Sequence, residues 1–403
     1  MAGSSMSFPV IAIVIFFSLV SSSSSGLHVI ARSANLDGCI FGCTLALQKR
    51  RMEIQNSFNT KLGARSGDLD DCVFDCTVAL EERKVEIQKN VGNKFDLELL
   101  SAEAHPVVIT VRKDGKGNFR TITDAINSIP PRNARRRIIM IGKGVYREKI
   151  TVDRMKPFVT FYGQPNEMPT ISFDGTAAEY GTWNSATVAV DSHYFMAVNI
   201  VFENSAPMPT PGAIGAQAVA MRISGDKAAF YNCRFHGYQD TLLDDKGKHY
   251  FKNCYIRGLV DFIFGNGRSR YEDCEIHAVA RGETAITAQA RETLADKSGF
   301  VFVHCRITGT GSAYLGRAWK PSSRVVFAYT YMGELINPKG WDTYGFKNRE
   351  RTVFYGEYQS AGPGANTSNR ASFGKELTNE QVKPFTSMSY IRADTWLLPP
   401  PNL

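Results

Sequence analysis

One register recurs along the middle of the chain and limits what the chain can fold into. Phe230-Tyr231-Asn232-Cys233-Arg234-Phe235 is followed by Phe251-Lys252-Asn253-Cys254-Tyr255-Ile256. Tyr271-Glu272-Asp273-Cys274-Glu275-Ile276 and Phe302-Val303-His304-Cys305-Arg306-Ile307 come next. The four cysteines are spaced by 21, 20 and 31 residues. A strand-rich unit of this length cannot bury its own apolar face, but a stack of such units can. The repeat therefore predicts an all-β solenoid, specifically a parallel β-helix, with the longer third interval being one coil that carries an insertion. Successive coils lie about 4.8 Å apart, so the four cysteines form a column. That spacing falls in the Cα window of roughly 4.4–6.8 Å that a disulfide tolerates. The expected pairs are Cys233–Cys254 and Cys274–Cys305, and a column of buried free thiols is the open alternative. Asn232 and Asn253 read as a stacked polar ladder.

The solenoid texture begins near residue 107, where short Val, Ile, Phe and Tyr runs start to alternate with Gly, Asn and Asp. Thr121–Ile129 is predicted to be a helix over the first coil. Leu377–Leu403 is predicted to be an irregular tail packed down by Tyr390 and Trp396. Upstream, Phe8–Val20 is a 13-residue apolar run followed by the small-residue tract Ser21–Ser25. It is shorter than the roughly 20 residues of a membrane span, so residues 1–25 are expected to be a signal peptide. Residues 26–104 hold a duplication: the Cys39/Cys43 unit recurs as Cys72/Cys76, each followed by a helix-friendly run, with Gly63–Gly67 between them. Cysteines four apart share one helix face, which predicts a short helical N-terminal extension of unassigned role. Residues 105–403 form the main domain. Eight cysteines and one sequon, Asn366-Thr367-Ser368, suit an oxidising, glycosylating compartment.

The net charge is +8. The basic residues are scattered apart from Arg132, Arg135, Arg136 and Arg137, and no nucleic-acid motif accompanies them. For a secreted chain the natural anionic partner is an acidic polysaccharide, with neither nucleic acid nor membrane as partner; solubility alone is the plainer account of the charge.

The coil register also aligns two carboxylates. Asp240 follows Cys233 by seven residues and Asp261 follows Cys254 by seven. They should sit side by side on adjacent coils. Two stacked carboxylates cannot both ionise cheaply, which divides them into an acid and a nucleophile or base. Gln239 neighbours Asp240, and Gln217 lies 22 residues earlier, about one coil back. Arg317, in Leu315-Gly316-Arg317-Ala318-Trp319, is the cation expected to hold one aspartate ionised. A lone aspartate is most often a turn residue; two in register, flanked by glutamines and aromatics, are not.

Six segments together resemble the plant pectin methylesterase family. They are Asp114-Gly115-Lys116-Gly117-Asn118-Phe119-Arg120-Thr121-Ile122, Gly144-Val145-Tyr146-Arg147-Glu148, Gln217-Ala218-Val219-Ala220-Met221-Arg222, Gly237-Tyr238-Gln239-Asp240-Thr241-Leu242, Asp261-Phe262-Ile263-Phe264-Gly265-Asn266 and Leu315-Gly316-Arg317-Ala318-Trp319. The resemblance runs from about Val107 to Trp396. It implies a right-handed parallel β-helix and hydrolysis of the C6 methyl esters of pectin homogalacturonan. Asp261 matches the nucleophile, Asp240 the acid and later base, and Gln217 and Gln239 the oxyanion donors. Arg317 matches the nucleophile's partner. Phe264, Trp319 and Trp341 match positions that border sugar rings, and Tyr238 is a further candidate beside them. No metal or other cofactor is implied. The expected setting is the cell wall, as a monomer, with a proteinaceous inhibitor as possible partner. Leu243 departs from the family, which usually has an aromatic there. Leu243-Asp244-Asp245 is expected to place two acids near the cleft and so to bias subsites against charged sugars.

Rival readings are a catalytically silent pectin-binding protein or another pectin-active β-helix enzyme. A polygalacturonase would carry Gly-His-Gly and Arg-Ile-Lys, and neither occurs. A calcium-dependent lyase would carry an acidic calcium cluster, and the glutamines beside Asp240 point instead to ester chemistry. No Gly-x-Ser-x-Gly occurs, and His236 is expected to be a strand or turn residue rather than part of a triad.

Overall fold

The computed structural model describes residues 95–401 and 403. The expected signal peptide and the Cys39–Cys76 duplication lie outside the described residues. From Val107 the chain climbs a parallel β-helix. One face is an 11-stranded sheet running in chain order from Val107–Val111 to Gly374–Glu376, every neighbour parallel. The other two faces are two ranks of strands. They merge into one 14-stranded sheet because the long strand Glu275–Gln289 pairs with Tyr255–Gly258 at its start and with Ile263–Gly265 at its end. The insertion expected in the third interval lies in this coil. It comprises a register shift between Val279 and Glu283, where Glu275–Gln289 meets Arg306–Arg317, and the connection 290–298.

The Cys-centred repeat is one corner of the coil. Phe230, Phe251, Tyr271, Phe302 and Phe327 are partners in successive strands. Their rings stack inside the helix at 4.8, 4.5, 4.6 and 4.4 Å between centroids. In-register parallel pairing leaves identical rings no choice but to stack, and each such pair adds roughly 0.5–1.5 kcal/mol beyond its buried area. Two residues further on, Asn199, Asn232, Asn253, Asp273, His304 and Tyr329 all have φ between 49° and 58°. One left-handed residue per coil makes the sharp bend out of the 11-stranded sheet. Asn and Asp take that conformation at the least cost among residues with a side chain, which explains why they fill the position in four of these six coils. Asn232 also donates its amide to Asn199 Oδ1 at 2.7 Å, part of the polar ladder.

The disulfide expectation is corrected. Cys233, Cys254, Cys274 and Cys305 are buried free thiols. Cys254, Cys274 and Cys305 point their sulfurs at the carbonyls of Phe230, Phe251 and Tyr271 one coil below, at 3.5–3.6 Å. In-register side chains project in parallel, so their Cβ atoms keep the strand spacing of about 4.8 Å. A disulfide needs about 3.8 Å.

The helix Ile122–Asn127 covers the first coil as expected, capped by Thr121 and burying Ile122, Ala125 and Ile126. Three arginines of the cluster are tied into the structure. Arg136 is buried, paired with Glu103 at 2.6 Å and donating to Tyr194 O. Arg135 and Arg137 bond to His105 O and Asn133 Oδ1. The tail is more regular than expected. Asn379–Thr386 is a helix closed by a capping box at Thr378, while Tyr390 and Trp396 are buried as expected. His236 lies on the strand Arg234–His236, edge-on to Tyr255.

Phe251→Ala should cost about 3–5 kcal/mol in denaturant unfolding, since it opens a void in the ring stack. Alkylation in denaturant without reductant should label Cys233, Cys254, Cys274 and Cys305, while the folded protein should protect all four.

Candidate active site

Asp240 and Asp261 occupy equivalent bends on adjacent coils. Each precedes a short strand, Leu242–Asp244 and Ile263–Gly265, and these strands pair Leu242 with Ile263. Asp240 N donates to Val260 O at 3.1 Å, and Asp261 N donates to Ala285 O at 2.8 Å. Both residues have positive φ, 65° and 48°. Left-handed residues are accommodated at a small energetic cost and concentrate where function requires a particular projection. The sequence spacing fixed the register of the pair; nothing in it signalled this backbone state.

Gln217 joins them through a local irregularity. Ala218 N donates to Gln239 O, whereas Ala220 N and Met221 N both donate to Thr241 O. One extra residue is absorbed there. The spacing of 22 rather than 21 thus brings Gln217 level with Gln239, and both are half-buried.

Arg317 ends the strand Arg306–Arg317, two rungs beyond Asp261's strand through the partners Ile263, Thr287 and Gly316. Its Nε donates to Asp261 Oδ1 at 2.6 Å and its Nη2 to Asp261 Oδ2. A bidentate guanidinium fixes the carboxylate plane as well as its charge. While its N–H edge binds Asp261, the guanidinium carbon lies 4.4 Å from the centroid of the Tyr344 ring. Tyr344 belongs to an irregular loop outside the coil periodicity, so no spacing pointed to it.

The two carboxylates are electrically unequal. Both residues are only 8% exposed. Burial, then the Asp261 charge, push Asp240 well above the ordinary carboxylate range, with Arg317 opposing. Burial also raises Asp261, but the hydrogen bonds and charge of Arg317 act against it. The two carboxylates thus differ in environment: burial and the neighbouring charge act together on Asp240, while Arg317 works against burial at Asp261.

The aromatic candidates separate. Trp319 is 39% exposed, with its ring 6.0 Å from that of Phe264. Phe264 packs with Leu243, Val219 and Ala288 in an apolar patch outside the main core. Tyr238 is half-buried and covered by Arg257, whose Nη2 donates to its hydroxyl at 3.3 Å. Trp341 does not border the cleft. It is 1% exposed, stacks on Tyr355 at 4.4 Å and donates Nε1 to Glu357. Its strand Trp341–Asp342 pairs with Gly316 and Arg317, Trp341 standing beside Gly316, and strand alternation turns Trp341 inward.

The expectation for one of the two acids after Leu243, Asp244, is also corrected. Asp244 is fully buried and points into the helix, where it meets His249 Nδ1 at 2.5 Å and accepts from the Tyr271 hydroxyl at 2.7 Å. Burial opposes charge on His249, yet Asp244 and the Gly225 carbonyl hold the imidazole above its ordinary value. Asp244 and His249 form a hydrogen-bonded pair in the core, not a cleft charge, because alternation along Leu242–Asp244 sends Leu243 outward and Asp244 inward.

A three-faced parallel β-helix with a carboxylate pair, amide neighbours and a clamped arginine on one outer face defines an ester-hydrolase architecture. Comparison with known proteins agrees. The pectinesterase family profile matches residues 108–394. Putative pectinesterase 63 of Arabidopsis thaliana is 54% identical over 293 residues, covering 72% of this chain and 87% of that protein. The pectin methylesterase from carrot superposes with a TM-score of 0.67 at 36% identity, over 73% of this chain and 95% of the carrot chain. A pectin methylesterase D178A mutant in complex with a hexasaccharide superposes with a TM-score of 0.62 at 28% identity, over 72% and 98% of the two chains. The chain belongs to the pectinesterase family, and its reaction is demethylesterification of pectin.

The raised value of Asp240 has a stability consequence. Between the ordinary carboxylate value and its own higher one, the folded state binds the extra proton, so Asp240 lowers stability as pH rises through that window. Asp240→Asn should therefore raise the melting temperature at pH 7, and the gain should shrink towards pH 4, in parallel thermal scans.

Proposed function

We propose that Asp261 is the nucleophile and Asp240 the proton carrier in a two-step hydrolysis of the C6 methyl ester of galacturonate. The observation that carries this is the bidentate Arg317–Asp261 pair one rung from a second buried aspartate that no guanidinium clamps. An Asp261 oxygen adds to the ester carbon, and the carbonyl oxygen takes up the negative charge. Gln217 and Gln239, level with one another beside the carboxylates, donate to that oxyanion. Collapse breaks the bond to methoxide, which takes the proton of Asp240 and leaves as methanol. The product of this step is an anhydride between Asp261 and the sugar. Asp240, now a carboxylate, removes a proton from water as the water oxygen adds to the acyl carbon. Asp261 departs as a carboxylate, Asp240 is protonated again, and the new sugar acid loses its proton to solvent. Trp319 supplies the exposed apolar border for the sugar rings, backed by the buried Phe264 ring 6.0 Å away, with Tyr238 beside Gln239 as a further contact.

The setting follows from the same reading. Pectin is a wall polymer, so the enzyme acts in the cell wall after secretion. Residues 1–25 serve as the signal peptide, 26–104 as a separate segment, and 105–403 as a monomeric catalytic domain that an inhibitor protein can cap. Asn366 is exposed and available for glycosylation. Among the described residues, no helix is long and apolar enough to cross a membrane.

Methanol release from methylated pectin should be abolished by Asp261→Asn while pectin binding persists. Gln217→Ala should lower kcat by about 10²–10³-fold, the usual effect of losing one oxyanion donor. Activity surviving in Asp261→Asn would remove it from the role of nucleophile. An ultraviolet-absorbing unsaturated product would indicate a lyase instead.

A further inference from the structure

Asp261 is held by Arg317, which raises the question of what holds Arg317. Its side chain is 28% exposed at the edge of the cleft, and a long, partly solvated arginine has many rotamers to lose. The segment Asp342–Arg351 crosses over it. At one end, Asp342 O accepts from Ala318 N at 3.0 Å. At the other, Arg349 Nη1 donates to Ala318 O at 2.5 Å and to Trp319 O at 3.3 Å. The Arg349 guanidinium itself lies 3.9 Å from the Phe346 ring centroid. The strap therefore grips the two residues that follow Arg317 from both sides. Between these grips Tyr344 presents its ring to the Arg317 guanidinium at 4.4 Å. That ring is aimed by a built turn: Asp342 Oδ2 accepts from Tyr344 N at 2.8 Å, and Tyr344 takes a left-handed φ of 59°. A tyrosine does not adopt that backbone without a local reason.

We propose that Tyr344 is a positioning residue for the esterase reaction: its ring face keeps the Arg317 guanidinium flat against the Asp261 carboxylate, and Arg349 locks the strap to the segment carrying Arg317 and Trp319. Planarity is what matters here. Two parallel N–H···O bonds require the guanidinium and carboxylate planes to coincide, and a ring behind the guanidinium removes the rotations that would break one of them. The strap also stops Arg317 from leaving Asp261 for a free carboxylate on the incoming polymer. A substrate acid is the competitor that any exposed arginine in such a cleft would meet.

This inference rests on Asp261 as nucleophile, so the test carries Asp261→Asn as a control for that assignment. Tyr344→Phe, Tyr344→Leu and Arg349→Lys are compared with wild type for kcat, KM and the pH profile of methanol release, with thermal scans to show that each is folded. Tyr344→Phe keeps the ring and should match wild type. Tyr344→Leu keeps bulk without a ring face. It should lower kcat about 10-fold with little change in KM, and it should move the acid limb of kcat/KM upward by about half a pH unit. That shift is the size expected from a cation–ring contact of roughly 0.5–1 kcal/mol at 1.36 kcal/mol per unit. Arg349→Lys should share the kcat loss in part. A rise in KM with an unmoved acid limb in Tyr344→Leu would show that the ring stacks on substrate instead and would overturn the proposal. Equal losses in the Phe and Leu variants would overturn it as well. If Asp261→Asn stays active, the nucleophile assignment fails, while the Phe-to-Leu contrast still reports on Arg317.

Discussion

Everything in this domain depends on in-register parallel pairing between coils. Because each residue stands one strand spacing above its counterpart, any side chain that suits a position once suits it again one turn later. The ring stack from Phe230 to Phe327, the left-handed corner residues and the thiol column are three consequences of that rule. The catalytic pair is a fourth. Asp240 and Asp261 meet because each opens the same strand on successive turns. A scaffold that makes neighbours of equivalent positions is well suited to bringing two like charges together, an arrangement most folds avoid.

Two like charges in a buried place are unstable, and the structure resolves the conflict asymmetrically. Arg317 reaches across two rungs to one carboxylate and leaves the other to burial. The difference between the two carboxylates is therefore set by which aspartate the guanidinium can reach. Arg317 is anchored in turn by a segment outside the repeating coil. The periodic part of the molecule places the carboxylates, and the aperiodic part decides how they differ.

That division explains how much could be read from the sequence. The cysteine spacing implies the solenoid, and the same spacing puts Asp240 beside Asp261. Gln217 was also legible, although its extra residue of spacing is accounted for only by the shared Thr241 carbonyl. Where the reading failed, the missing information was side-chain direction. Trp341 and Asp244 both lie close to the cleft along the chain, yet alternation turns each into the interior. The disulfides failed for a related reason: Cα spacing permitted them, but parallel Cβ vectors did not. Tyr344 was invisible because no repeat governs its loop.

The coil that carries the insertion has a wider consequence. Its extra residues are confined to the register shift at Val279–Glu283 and the connection 290–298, and the strands on either side of that connection still align, Thr287 with Gly316 and Arg268 with Gly299. Chain length is thus free to vary in such connections, whereas one residue gained within a regularly paired strand would turn the side chains beyond it to the opposite side. The architecture therefore tolerates a longer connection without losing the turn-by-turn count that places its side chains.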